Sequence, residues 1–161
     1  MQDLVKALFK QLEAHGEKLA CAESCTGGLL AAALTDVPGA SGFFDRGFVT
    51  YSNEAKTEML GVPEATLSAH GAVSAETAQA MAEGALKNSR AAIAVSITGI
   101  AGPDGASAEK PVGLVWFGYA YARGNLLKTE HRLFSGDRRA IRAQSAQTAL
   151  TGLLSILEDN P

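Results

Sequence analysis

The chain has 161 residues, 14 Lys+Arg against 17 Asp+Glu, a net charge of −3 and 47% hydrophobic residues. That is the length of one domain, 1–161, able to bury a core without a disulfide or metal staple. A mildly acidic chain with no basic block lacks the electrostatic footprint of a nucleic-acid binder, and its apolar content excludes a disordered tail.

In chain order, Leu4, Val5, Leu8, Phe9 and Leu12 follow the helical period, and Gly16 stops that helix. Lys18 to Glu23 reads as a short strand, followed by the turn SCTGG and an apolar helix from Gly27 to Leu34. Gly42 to Tyr51 has the aromatic and β-branched content of a strand, with Ser52 or Asn53 capping a helix through Leu60. Two more helices, Pro63 to His70 and Ser74 to Asn88, are separated at Gly71. Arg90 to Thr98 is a strand ending in a loop with Gly99, Gly102 and Gly105. Val112 to Arg123 and Leu126 to Phe134 flank Gly124-Asn125, a two-residue hairpin signal. Gly136-Asp137 opens a last helix reaching about Leu157. Interleaved strands and helices with one antiparallel hairpin predict an α/β class fold, a three-layer α/β/α domain with a mixed sheet.

The longest apolar stretches, Gly27–Leu34 and Val112–Ala122, fall short of the ~20 residues that span a membrane. The opening MQDLVKALFK has no apolar signal core, so a cytoplasmic chain is expected. Cys21 and Cys25 are not a CxxC pair, and His15, His70 and His131 form no metal-binding spacing. Two reduced cysteines and no metal or other cofactor are the expectation.

Three runs could bear chemistry. In AESCTGG, Ala22–Gly28, a strand gives way to a glycine-bearing helix start, where N–H groups suit a phosphate or a developing oxyanion. Ser24 can present its hydroxyl there, although Ser24 and Thr26 would equally serve as helix caps. The run is neither a Walker A loop nor the GxSxG elbow of α/β-hydrolases. TGIAGPDG, Thr98–Gly105, is a second glycine loop after a strand, able to supply backbone donors or to be a plain crossing loop. In open α/β sheets ligands bind beyond the carboxyl ends of strands, so the two loops would form a pocket if their strands are neighbours. In GFVTYSNEAK, Gly47–Lys56, a lysine sits near a helix start, where a cation is electrostatically out of place. Buried, it would lose basicity and could act as a general base; exposed, it would be an ordinary surface lysine.

These three runs, with HGAVS (70–74), KPVGLVW (110–116) and FSGDRRAIR (134–142), lie in order along the chain. Together they resemble the C-terminal domain of the competence/damage-inducible CinA family, in its stand-alone nicotinamide-nucleotide deamidase form. The resemblance covers nearly the whole chain; Leu114, where a small polar residue is expected, departs from it without touching a chemical role.

The resemblance implies an amidohydrolase that converts nicotinamide mononucleotide and water to nicotinic acid mononucleotide and ammonia, by Ser/Lys chemistry. Ser24 would be the nucleophile and Lys56 the general base, with Tyr51 and Thr98 assisting. Glu23, Thr26, Gly27, Gly28, Gly99, Gly102 and Arg142 would bind substrate. Backbone N–H groups of the Thr26–Gly28 turn or the Thr98–Gly102 loop would hold the oxyanion. The phosphate would be met by the other loop or by Arg138, Arg139 or Arg142. The expected partner is a small nucleotide rather than a nucleic acid or a membrane, and homo-oligomer formation stays open. Two other readings fit the same residues: an amidase with Cys25 as nucleophile, and a nucleotide-binding module with no catalysis.

Overall fold

The computed structural model describes residues 1–160. Five strands form one sheet in the order β2-β1-β3-β4-β5. These are β1 (Leu19–Glu23), β2 (Phe44–Val49), β3 (Ile93–Gly99), β4 (Leu114–Tyr121) and β5 (Leu126–Leu133). The first three run parallel, with Glu23 opposite both Val49 and Ile97, while β4 and β5 complete the sheet antiparallel. The mixed sheet and three-layer arrangement are as the sequence predicts.

Helices α1 (Gln2–His15), α2 (Leu29–Thr35) and α6 (Arg138–Asp159) cover one face of the sheet, and α3 (Asn53–Leu60), α4 (Glu64–His70) and α5 (Ala75–Lys87) lie on the other. Period-two alternation divides the strand side chains between two cores. Leu19, Cys21, Ile93, Val95 and Ile97 join the larger one with α1, α2 and α6. Ala20, Ala22 and Ala94 face Met81 and Ala85 of α5. The small residues on this second face let α5 sit close. Ser96 Oγ donates to the Ala78 carbonyl and accepts from Gly118 N at 3.1 Å. A Cβ at Gly118 would collide with that same carbonyl. Small residues at these positions are thus a requirement of the helix–sheet distance.

Three boundaries differ from the sequence reading. Gly27 and Gly28 have φ of 57° and 101°, left-handed values that delay α2 until Leu29. Residues 40–42 form a 3₁₀ turn, so β2 starts at Phe44, and Thr50 and Tyr51 have already left it. The hairpin loop has four residues rather than two, since Tyr121 pairs with Leu126. Gly124 and Asn125 do take the positive φ values, 75° and 56°, that made them a turn signal. Among the described residues no helix is long and apolar enough to cross a membrane.

Candidate active site

Because β1, β2 and β3 are parallel neighbours, the chain leaves all three at one edge of the sheet. Ser24 N donates to Ile97 O at 2.9 Å and Thr50 N to Glu23 O at 2.9 Å, extending both ladders past the last paired residue. The backbone just before the SCTGG turn is therefore gripped from both sides.

Opposite polar anchors fix the turn itself. The buried Glu23 carboxylate accepts from Gly28 N at 3.1 Å, Leu30 N at 3.1 Å and Ala31 N at 2.9 Å, satisfying the orphan donors at the start of α2. Arg142, reaching over from α6, donates from Nε to Cys25 O at 3.1 Å and from a terminal nitrogen to Thr26 O at 2.8 Å. Gly27 N bonds back to Ser24 O at 3.0 Å and Leu29 N to Thr26 O at 3.1 Å. The N–H groups these bonds leave over are those of Cys25 and Thr26.

Lys56 enters from α3. Ser52 caps that helix by accepting from Ala55 N at 3.1 Å, and the lysine follows at the fourth helical position. Its side chain is buried, with the residue 1% exposed. Nζ lies 3.0 Å from Ser24 Oγ, 2.9 Å from Thr50 O and 3.5 Å from Ser52 O. Among the described residues no carboxylate pairs with it. Burial pulls its pKa down from the ordinary 10.5, and only the neighbouring Cys25 opposes that shift. The alternative of a solvated surface lysine does not hold.

A cleft of about 270 Å³ opens over this pair, lined by Ser24, Cys25, Tyr51, Lys56, Thr98 and the 99–105 loop, with Arg138 at its rim. Gly99 and Gly102 line it, and so does Asp104, which the sequence reading passed over. Thr98 commits its hydroxyl proton to Ala72 O at 2.7 Å. Tyr51, 62% exposed, accepts from Arg138 at 3.1 Å, and the same guanidinium donates to Gly102 O at 2.8 Å. Neither Tyr51 nor Thr98 bonds to Ser24 or Lys56. Glu23, Thr26, Gly27, Gly28 and Arg142 do not line the cleft; they build the turn beneath it. Arg138 instead of Arg142 is the arginine facing the opening. Its signal was its place as the first residue of α6, directly after the Asp137 cap, whose oxygen accepts from Ala140 N at 2.8 Å.

Lys56 Nζ contacts the Ser24 hydroxyl and not the Cys25 thiol. Burial raises that thiol to about 11, so it is protonated at neutral pH. A larger groove, about 640 Å³, runs between α3, α4 and α5, but it brings no nucleophile next to a base.

A buried lysine within hydrogen-bond distance of a serine, at the carboxyl edge of a mixed sheet, coincides with a family assignment. Residues 1–157 match the CinA C-terminal domain. The chain belongs to the CinA C-terminal domain family. This CinA-domain chain is 59% identical over 154 residues to the nicotinamide-nucleotide amidohydrolase PncC of Enterobacter agglomerans, covering 93% of each chain. It is 54% identical over 153 residues to the nicotinamide-nucleotide amidohydrolase PncC of Escherichia coli strain K12, covering 95% of this chain and 92% of that one. Among solved structures it superposes with TM-score 0.93 on the competence/damage-inducible protein CihA from Agrobacterium tumefaciens. That pair is 47% identical, over 96% of this chain and 94% of the other.

Proposed function

We propose that this CinA-domain chain is a nicotinamide-nucleotide amidohydrolase, hydrolysing nicotinamide mononucleotide to nicotinic acid mononucleotide and ammonia. The observation that carries the chemistry is the 3.0 Å contact between Lys56 Nζ and Ser24 Oγ in a cleft. The substrate assignment rests on near-full-length relatives named as such enzymes.

The lysine's three contacts suit both of its protonation states. A neutral amine has two hydrogens and a lone pair. Protonated, Nζ donates to Ser24 Oγ, Thr50 O and Ser52 O; neutral, it can give its two hydrogens to the carbonyls and leave its lone pair for the Ser24 hydroxyl. As Oγ attacks the carboxamide carbon, the hydroxyl proton passes to Nζ and the carbonyl oxygen becomes an oxyanion. The N–H groups of Cys25 and Thr26, adjacent to the nucleophile, are the donors we assign to that oxygen. Collapse of the intermediate breaks the C–N bond, and the lysine's proton leaves with ammonia. Water then attacks the acyl-serine ester, again with Lys56 as base, releasing the carboxylate and restoring the hydroxyl.

Arg138 retains donors beyond the two it gives to Gly102 and Tyr51, and we assign the substrate phosphate to it. Tyr51 acts through Arg138, Thr98 steadies the cleft wall, and Gly99 and Gly102 let the loop pack against Val115 and Val112, where a Cβ would collide. Glu23, Thr26, Gly27, Gly28 and Arg142 hold the nucleophile turn. Two free cysteines fit a reducing compartment, and we place the reaction in the cytoplasm.

The test is ammonia release by the purified protein from nicotinamide mononucleotide and from free nicotinamide. Turnover of the mononucleotide with little from the free amide supports the reading. Binding without ammonia release would make the chain a nucleotide-binding module instead.

A further inference from the structure

The cleft contains one carboxylate whose use the reaction does not explain. Asp104 lines the opening together with the cationic groups Lys56 and Arg138. Yet among the described residues it makes no ion pair with either. Asp104 is itself exposed, but the loop that bears it is tied on both flanks. The loop is tied by Arg138 to Gly102 O at 2.8 Å, by Ser107 N to Lys110 O at 2.9 Å and by Lys110 Nζ to His70 O at 2.7 Å. Gly102 and Gly105, with φ of 76° and 90°, bend the backbone on either side of Pro103-Asp104. A negative charge is thus built into a cleft that also has to accept a phosphorylated ligand.

That placement would be unfavourable for a uniformly anionic substrate. It becomes favourable if the ligand is a zwitterion. In nicotinamide mononucleotide the ring nitrogen is quaternary and positively charged, and it lies two bonds round the ring from the carbon bearing the carboxamide. With the carboxamide at Ser24 and the phosphate at Arg138, the cationic ring occupies the space between, against the 99–105 loop. We infer that Asp104 is a specificity-determining residue that selects a positively charged pyridinium ring over an uncharged one. The inference rests on the amidohydrolase reading above and adds to it the ring charge as a recognised feature. Because Asp104 is exposed, its attraction for the ring is modest and salt weakens it.

The experiment compares nicotinamide mononucleotide with its dihydro form, which has the same amide, ribose and phosphate but a neutral ring. Dissociation constants are measured by calorimetry in a Ser24→Ala background, with and without Asp104→Asn. Asp104→Asn is expected to weaken binding of the cationic form roughly three- to tenfold, a loss that shrinks in high salt, and to leave the dihydro form within about twofold. Asp104→Glu should keep part of the preference. Equal weakening of both forms, or tighter binding of the cationic form, would overturn the inference. Ammonia release by the wild-type protein is measured alongside. Turnover with an unchanged ring preference sinks this inference alone, whereas no turnover sinks the amidohydrolase reading and this inference with it.

Discussion

Lys56 Nζ and Ser24 Oγ, 32 residues apart in sequence, lie 3.0 Å apart at the carboxyl edge of the sheet. Neither is held by chance. Ser24 extends β1 under the grip of Ile97, while Lys56 is oriented by the carbonyl of Thr50 and the cap at Ser52. Lys56→Arg preserves a positive charge that cannot be given up at working pH. It should lower kcat by at least about a thousandfold while the protein stays folded. Ser24→Ala should be as damaging, and the double variant little worse than either, as the proposed mechanism requires of two groups acting as one unit. Ammonia-release kinetics check this; near-normal turnover by Lys56→Arg removes the lysine from the mechanism.

The depressed basicity of Lys56 sets two pH responses. As the proposed base Lys56 works only when neutral, so kcat/KM should rise with pH along an acidic limb whose midpoint lies below the ordinary lysine value of 10.5. Stability moves in the same direction. Between the lowered folded pKa and 10.5 the unfolded chain binds the proton that the folded chain has released, so folding becomes more favourable as pH rises. Below the folded pKa the whole cost of burying the charge is present. Relative to a Lys56→Met variant, the wild type should therefore gain stability across that window, as denaturant titrations at several pH values would reveal. A difference independent of pH would mean that Lys56 is not perturbed.

Cys25 lies next to Ser24, and thiols are the better intrinsic nucleophiles, yet burial holds this one near 11. Only a very small fraction is thiolate at neutral pH. Cys25→Ala should keep turnover within about fivefold of wild type, the loss reflecting only a small packing defect beside the turn. Kinetics that collapse in Cys25→Ala but survive in Ser24→Ala would reverse the assignment.

Much of the fold is legible locally. Leu4 to Leu12 repeat at helical spacing, Ile93 to Ile97 alternate with small residues, and Gly124-Asn125 mark a turn by their tolerance of positive φ. Ser24 and Lys56 were singled out through the family motifs, and their approach follows from parallel pairing of β1 with β2 and β3. Other features depend on tertiary placement that no local pattern encodes. The carboxylate of Glu23 could face a ligand or a helix start, and only the left-handed pair Gly27-Gly28, by swinging α2 round, turns it onto three N–H groups. Arg138 and Arg142 sit one helical turn apart, so one faces the opening while the other lies beneath the turn, a division set by how α6 packs. Asp104 gave no periodic signal because it belongs to a loop.

Glu23 links the fold to the site most directly, and it supplies the last prediction. Its carboxylate is the acceptor for Gly28, Leu30 and Ala31 N–H, all buried or partly buried, one residue before Ser24. Glu23→Ala leaves those donors without a partner and opens a cavity at the start of α2, which should cost about 2–4 kcal/mol of stability. Glu23→Gln retains the volume and one acceptor oxygen but presents an NH₂ group towards backbone donors, so its loss should fall between wild type and Glu23→Ala. Because the turn positions Ser24 against Lys56, kcat should drop in the same order, by more than KM changes, since small displacements of a nucleophile are costly. Denaturant unfolding and steady-state ammonia release on the three proteins test both parts. A Glu23→Ala protein as stable and as active as wild type would show that the three hydrogen bonds hold neither the helix nor the nucleophile in place.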